Sequence, residues 1–256
     1  MPFAELPGVR LWFTDSGGDG VPVVLLHAAS GTSESWFQQV PEFSAAGYRC
    51  ICYDRRGWGR SESTDGPPPA SPADDLRTLL DHLGVDRAHL AGTAAGAAVA
   101  VDYTLSWPER VRSLVIADGN AGLRDDPEYL ELRKRARPPE FEALPTYLRE
   151  VGPSYRATNP EGVARWIEIE EHSGHATATR QKDRNHVTLE TFKTLKTPTL
   201  VMVGGADMST PPALVRMVAE RIPGCRFETV PDAGHAAFWE QPAIWNRHVL
   251  DFIREH

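Results

Sequence analysis

The sequence has few cysteines, no long apolar run and no excess of basic residues, and each shortage excludes a class of protein. Its three cysteines, Cys50, Cys52 and Cys225, are too few and too irregularly spaced for a disulfide framework or a zinc site. No apolar stretch reaches the length of about 18 residues that a membrane-spanning helix needs. The 35 acidic residues outnumber the 27 basic ones, which argues against nucleic acid as a partner because phosphates bind to basic surfaces.

The first residues, MPFAELPGVRLWF, also lack the basic and apolar regions of a secretory signal. Hydrophobic residues make up 41% of the chain and charged residues 24%, a composition typical of a globular protein with a packed core. We therefore expect a cytoplasmic protein with no membrane or nucleic-acid partner.

Strand-like apolar segments alternate with helical patterns along most of the chain, which predicts a mostly parallel sheet with helices on both faces. The predicted strands are Val9–Asp15, Val21–His27, Tyr48–Tyr53, Ala88–Gly92, Val111–Asp118, Pro198–Val203 and Arg226–Val230. One helix start is especially clear, because Ser71 can act as its N-cap and Pro72 suits its first position.

The segment 121–183 interrupts this alternation, since it is polar, helical in character and punctuated by prolines. It predicts a helical cap inserted after the strand that ends at Asp118. The predicted α/β core therefore comprises residues 1–120 and 184–256.

The segment Leu90–Gly96, with the sequence LAGTAAG, follows a predicted strand and opens an alanine-rich helix. This is the setting of the G-x-S-x-G nucleophile elbow, in which a strained turn exposes a serine and the flanking glycines allow backbones to approach closely. Alanine stands at the serine position, Ala94. Thr93 is a poor substitute nucleophile, because its neighbouring position on the turn should direct its side chain away from a base.

Asp207 and His235 each follow a later predicted strand, in the segments GGAD and AGH. A lone aspartate in a loop is usually a turn former, and a lone histidine is usually structural. Here they complete the chain order of nucleophile, acid and base that is found in α/β-hydrolases.

Taken together, these motifs resemble those of the α/β-hydrolase superfamily, in the capped branch of esterases and lactonases. The segment HAAS at 27–30 is similar to the H-G-x loop of the family, and DRRGWGRS at 54–61 is similar to its D-x-R-G-x-G-x-S turn. The segment from Gly234 to Pro242 matches its G-H-x-x-x-x-E-x-P motif. The resemblance spans nearly the whole chain and implies an α/β-hydrolase fold, in which the cap follows the strand that the family counts as its sixth.

The resemblance implies that His235 is the general base and that Asp207 orients it, while the backbone N–H groups of Ala29 and Ala95 form an oxyanion hole. Asp118 is an alternative acid, since some members of the family place the acid after this strand. Ala28 departs from the usual glycine but leaves the backbone donor of the loop intact.

Four further side chains are expected near the substrate, namely Ser30, Tyr147, Trp166 and Phe238. No cofactor is expected. A metal is not expected either, because His172 and His175 have no evident third ligand.

The predicted function is hydrolysis of a small carboxylic ester or lactone through an acyl-enzyme, with serine as the nucleophile at position 94. Because the glycines, the acid and the base are all in place around Ala94, we expect an inactive, substrate-trapping variant made by a deliberate Ser→Ala change and not a naturally decayed site. Three alternatives remain open: a cofactor-free oxygenase of the same fold, a hydrolase of carbon-carbon bonds, and a non-catalytic ligand-binding protein. Ala236 departs from the tryptophan expected after the histidine of a carbon-carbon hydrolase, which ranks that alternative lower.

Overall fold

A sheet of nine strands runs through the computed structural model, which describes residues 3–63, 70–174 and 181–256. Within those ranges the strands are β1 (Phe3–Leu6), β2 (Val9–Asp15), β3 (Pro22–Leu26), β4 (Arg49–Tyr53), β5 (Glu62–Ser63), β6 (Ala88–Thr93), β7 (Val111–Ala117), β8 (Thr199–Gly204) and β9 (Arg226–Val230). Their order across the sheet is β1-β2-β4-β3-β6-β7-β8-β9, and β5 pairs with β2.

The strands from β4 to β9 along this order are parallel, whereas β1, β2 and β5 form an antiparallel edge. The predicted, mostly parallel sheet is therefore confirmed. All seven predicted strands are present, and β2 and β9 have the predicted bounds. β1 and β5 were not predicted; both are short and lie at this edge.

Helices fill the connections between the strands. They are α1 (Gln39–Ala45), α2 (Pro72–His82), α3 (Ala95–Ser106), α4 (Pro127–Ala136), α5 (Thr146–Glu150), α6 (Pro153–Thr158), α7 (Pro160–His172), α8 (Leu189–Phe192), α9 (Pro212–Ala219), α10 (Ala237–Glu240) and α11 (Pro242–Ile253). The start of α2 is the predicted one, because the Ser71 hydroxyl accepts the N–H of Asp74 at 3.1 Å in a capping box.

Successive side chains of the central strands alternate between two apolar layers, as the period of a β-strand requires. On β3, Val24 and Leu26 belong to the layer that contains α2, α3 and α9. Val23 and Leu25 belong to the opposite layer, with residues of α1 and α11. Helices therefore cover both faces of the sheet, as predicted.

The described parts of the chain between β7 and β8 contain the helices α4 to α8. This agrees with the position of the predicted insertion, although α8 lies beyond its predicted end at residue 183. Residues 175–180 of the predicted cap lie outside the described residues, and its status as a separate unit stays a prediction. In the ranges 3–63, 70–174 and 181–256, no helix combines the length and the apolar character that crossing a membrane would need.

Candidate active site

Ala94 occupies the turn between β6 and α3, where its backbone adopts angles that alanine rarely shows. Its φ is 49° and its ψ is −113°. The N–H of Ala94 donates to the carbonyl oxygen of Ala117 on β7 at 2.9 Å, which ties the turn to the neighbouring strand. A non-glycine residue in such a sparsely populated region costs about 1–3 kcal/mol and persists only where its surroundings impose it. The fold, and not the preference of residue 94, therefore holds this turn.

Gly92 and Gly96 flank this turn at points where neighbouring backbone leaves no room for a side chain. A β-carbon on Gly96 would lie 2.1 Å from the carbonyl oxygen of Leu26. One on Gly92 would lie 2.5 Å from the carbonyl group of Gly96. Both distances are far shorter than the roughly 3.5–4.0 Å of a normal non-bonded contact. The two glycines thus allow α3 to begin directly against β3 and β6.

His235 and Asp207 lie on the loops that follow β9 and β8, and they are hydrogen-bonded to each other. His235 Nδ1 donates to Asp207 Oδ2 at 2.7 Å. The other carboxylate oxygen of Asp207 accepts the N–H groups of Ser209 and Thr210 at 2.7 and 2.8 Å. Asp207 is therefore fixed from both sides, and the Nε2 atom of the imidazole points away from it.

Burial of His235 opposes its positive charge and by itself would lower the pKa of the imidazole. The carboxylate of Asp207 outweighs this effect, and the charges of Glu150 and Asp118 add to it, so the pKa of His235 rises to about 9. At neutral pH the imidazole is therefore mostly protonated when nothing is bound.

Asp118 follows β7 and has a different environment. It is fully buried, its φ is 49°, and its Oδ1 accepts the N–H of Gly204 at 2.7 Å. Burial, reinforced by the charge of Asp207, raises the pKa of Asp118 well above its usual range. Its carboxyl group braces the end of β8, whereas Asp207 is the carboxylate that accepts the hydrogen bond of the imidazole.

The loop after β3 is fixed by side chains that bind its backbone. Burial, reinforced by the charge of Arg55, lowers the pKa of His27 well below its usual range, so the ring is neutral. Its Nε2 accepts the N–H of Arg55 at 3.1 Å, and its Nδ1 donates to the carbonyl oxygen of Ala28 at 2.6 Å. Trp58 Nε1 donates to the carbonyl oxygen of Ala29 at 2.7 Å. Ala28 does not have a positive φ, so alanine fits where glycine was expected.

Ala29 lies on the loop after β3, and Ala95 directly follows Ala94 in the chain. Ala95 is the first residue of α3, so its N–H has no acceptor within the helix. Both residues line one cavity of about 660 Å³ together with Ala94 and His235. The structure therefore brings the predicted nucleophile position, base and oxyanion residues to one cavity. Thr93 is fully buried and is absent from the described lining of this cavity.

The four predicted substrate-contacting side chains lie elsewhere. Ser30, Trp166 and Phe238 line a separate cavity of about 10 Å³, which also borders His235. There the Ser30 hydroxyl donates to Glu150 Oε2 at 2.5 Å. Tyr147 is absent from the described linings of both cavities. A role of these residues in substrate binding stays a prediction.

The basic side chains of the larger cavity were not predicted from the sequence. Arg55, Arg124, Arg133 and Arg137 line it, and Tyr129 and Asn120 do so as well. Arg133 and Arg137 lie at the end of α4 in the segment RKRAR, and such a charged run usually marks a solvated face. Only the folding of this segment against the strand ends could reveal that they face a cavity.

Glu240 connects the loop of His235 to the helical insertion. Its carboxylate accepts the N–H of Gly234 at 3.0 Å and the N–H of Gly152 at 3.0 Å. The predicted G-H-x-x-x-x-E segment thus holds the loop of the imidazole against the start of α6.

No three histidine, cysteine, aspartate or glutamate side chains meet as metal ligands within the described ranges. His175 lies outside those ranges.

Comparison with known proteins gives matches over almost the full chain. The model of a family described as "Alpha/beta hydrolase family" matches residues 23–247. A 2-hydroxy-6-oxononadienedioate/2-hydroxy-6-oxononatrienedioate hydrolase of Paraburkholderia phymatum is 30% identical, and the match covers 96% of this chain and 91% of the relative.

Two solved structures are also similar. A thermophilic esterase from Thermogutta terrifontis, with malate bound, has a TM-score of 0.80 and 29% identity, and the match covers 99% of this chain and 97% of the esterase chain. An enol-lactonase from Burkholderia xenovorans has a TM-score of 0.82 and 25% identity, and the match covers 99% of this chain and 100% of the lactonase chain.

Proposed function

The chain belongs to the alpha/beta hydrolase family, and we propose that its cavity binds a small carboxylic ester or lactone. In this proposal residue 94 is the nucleophile position, His235 is the general base and Asp207 orients it. One observation carries the proposal: the strained turn at Ala94 lines the same cavity as a histidine hydrogen-bonded to a buried aspartate. This observation supports the proposal because a nucleophile elbow and its base share such a strained turn and such a histidine.

With serine at position 94, the chemistry follows from this geometry. His235 Nε2 removes the proton of the serine hydroxyl while Oγ attacks the substrate carbonyl carbon. The N–H groups of Ala29 and Ala95 donate to the oxygen that gains negative charge. The alcohol then leaves with the proton from His235. Water, deprotonated by the same imidazole, attacks the acyl carbon, and the acid is released as the serine oxygen takes this proton back from His235.

With alanine at position 94, the first of these steps has no attacking atom. The backbone donors and the Asp207–His235 pair remain, so substrate binds and the acyl-enzyme does not form. In a serine protease, loss of the nucleophile lowers turnover by about six orders of magnitude. We therefore propose that the chain is a substrate-trapping variant whose site is otherwise complete.

The test is to introduce Ala94→Ser and to measure hydrolysis of p-nitrophenyl acetate and of a small lactone panel. We expect a rate at least about a thousandfold above that of the unchanged chain, because only the attacking oxygen is missing. Ala98→Ser is the matched control, since it adds a hydroxyl to the same cavity on a regular turn of α3. It should stay at background.

If the Ala94→Ser protein stays at background on esters and lactones, the acyl-enzyme proposal is wrong. Base-only chemistry on His235 or a purely ligand-binding cavity would then be the better interpretation.

A further inference from the structure

Two consecutive buried arginines, Arg55 and Arg56, have very different partners. Arg56 forms a two-pronged ion pair with Asp75, through Nε at 2.9 Å and Nη2 at 2.7 Å. No described carboxylate forms an ion pair with Arg55. Its Nη2 donates to the carbonyl oxygen of Ala28 at 3.2 Å, its guanidinium lies 4.3 Å from the ring centre of Trp58, and its Nε has no acceptor.

Arg55 is only 7% exposed, so little water compensates its charge. Burial lowers its pKa to about 10, which still leaves the guanidinium protonated at neutral pH. A buried charge without a counter-ion is costly, by several kcal/mol even after relaxation of the surroundings. An anion in the cavity that Arg55 lines would remove this cost.

The described lining of the cavity carries more basic than acidic side chains. Asp183 is the only carboxylate in the described lining, and Arg124 neutralises it through contacts of 2.7 and 3.1 Å. Arg133 and Arg137 also line the cavity, and they share Glu142 at 3.5 and 2.9 Å.

Glu142 contacts Arg149 as well, at 3.1 Å, so one carboxylate faces three guanidinium groups. The cavity is therefore positive although the chain has a net charge of −8. This local excess of positive charge would attract an anionic ligand and guide it to the cavity.

We propose that the substrate carries a carboxylate close to its scissile ester or lactone bond and that Arg55 binds this carboxylate. The inference rests on the proposed function. A guanidinium can bind a carboxylate through two parallel hydrogen bonds. Arg55 contacts the carbonyl oxygen of Ala28, the neighbour of the proposed oxyanion donor Ala29, so the carboxylate lies a few atoms from the reacting carbonyl. A monoester of a short dicarboxylic acid and a lactone bearing a carboxylate both fit this description.

Binding to the chain as it stands tests the proposal without turnover. Calorimetry would compare monomethyl succinate, an anion, with methyl succinamate, its neutral amide counterpart. We expect the anion to bind at least about tenfold more tightly, as for a charge-assisted hydrogen-bonded pair. Arg55→Gln should abolish this preference and leave binding of the amide unchanged, whereas Arg55→Lys should retain part of it. Arg60→Gln is the matched control, because Arg60 is on the same loop but is absent from the described cavity lining.

Equal binding of the two ligands to the unchanged chain would overturn the proposal. So would a preference for the anion that survives in a folded Arg55→Gln protein. If thermal melting shows that this variant does not fold, the affinities of monomethyl succinate and methyl succinamate for the unchanged chain and for the Arg55→Lys protein decide whether the proposal holds. Failure of the proposed function gives a different pattern: an Ala94→Ser protein that is inactive on every ester, with the anion preference intact.

Discussion

Replacing Ala94 with glycine should stabilise the protein, although glycine usually weakens folded structures. Ala94 has a φ of 49° and a ψ of −113°, a region that costs a residue with a β-carbon about 1–3 kcal/mol. Glycine adopts such angles without this cost. Against the gain stands the greater freedom of glycine in the unfolded chain, about 0.4–1 kcal/mol. The net effect is a gain of about 1 kcal/mol in the free energy of unfolding.

For a chain of 256 residues, a gain of about 1 kcal/mol corresponds to a rise of roughly 2–4 °C in melting temperature. Urea unfolding and calorimetry would measure both quantities. Ala98→Gly is the matched control, since Ala98 lines the same cavity from within α3 and glycine in a helix costs about 1 kcal/mol. The melting temperature should therefore rise for Ala94→Gly and fall for Ala98→Gly. An Ala94→Gly protein that is less stable than the unchanged chain would contradict the strain inferred at residue 94.

Three further outcomes are expected. In the Ala94→Ser protein, kcat/KM should rise with pH through an apparent pKa near 9, because the proposed base is the neutral form of His235 and neighbouring carboxylates raise the pKa of its imidazole. Initial rates measured between about pH 6 and 10 would show this rise, and a kcat/KM that is already constant at pH 7 would contradict it. Adding Asp207→Asn to the Ala94→Ser protein should lower kcat about 10⁴-fold and lower the pH at the midpoint of the rate profile. A larger loss of kcat from Asp118→Asn would make Asp118 the acid. Glu240→Ala should lower the free energy of unfolding by about 3 kcal/mol, because the N–H groups of Gly152 and Gly234 lose their buried acceptor. Urea unfolding would measure this change, and an unchanged free energy of unfolding would contradict the prediction.

The sheet could be predicted because its strands are buried on both faces and their apolar runs are unmistakable. β3 and β8 are almost entirely buried. β1 and β5 were not predicted because each is short and pairs only at the antiparallel edge, where a strand has no continuous apolar run. The predicted bounds of the helical cap stay a prediction; α8, which follows its predicted end at residue 183, packs into the core through Leu189 and Phe192.

The arrangement of residues at the strand ends was predictable in part, because parallel strands end at one edge of the sheet and bring the residues that follow them together. In the structure Ala94 and His235 line one cavity, and His235 is hydrogen-bonded to Asp207. The rule says nothing about the part of the cavity wall that lies between β7 and β8, and for this reason Arg133 and Arg137 were not predicted there. The adjacent pair Arg55 and Arg56 shows the same limit, since only the fold reveals which of the two has Asp75 as its partner.

The features that would make a serine reactive at position 94 belong to its surroundings and not to its side chain. The angles at Ala94 are held by the bond of its N–H to Ala117 and by the close approach of Gly92 and Gly96. The imidazole of His235 is held by Asp207. Alanine lacks the oxygen atom of serine but is compatible with each of these constraints, including the strain that the turn imposes. Introducing a hydroxyl at position 94 should therefore require no rearrangement of the backbone, and the proposed nucleophile should be placed in the conformation already present.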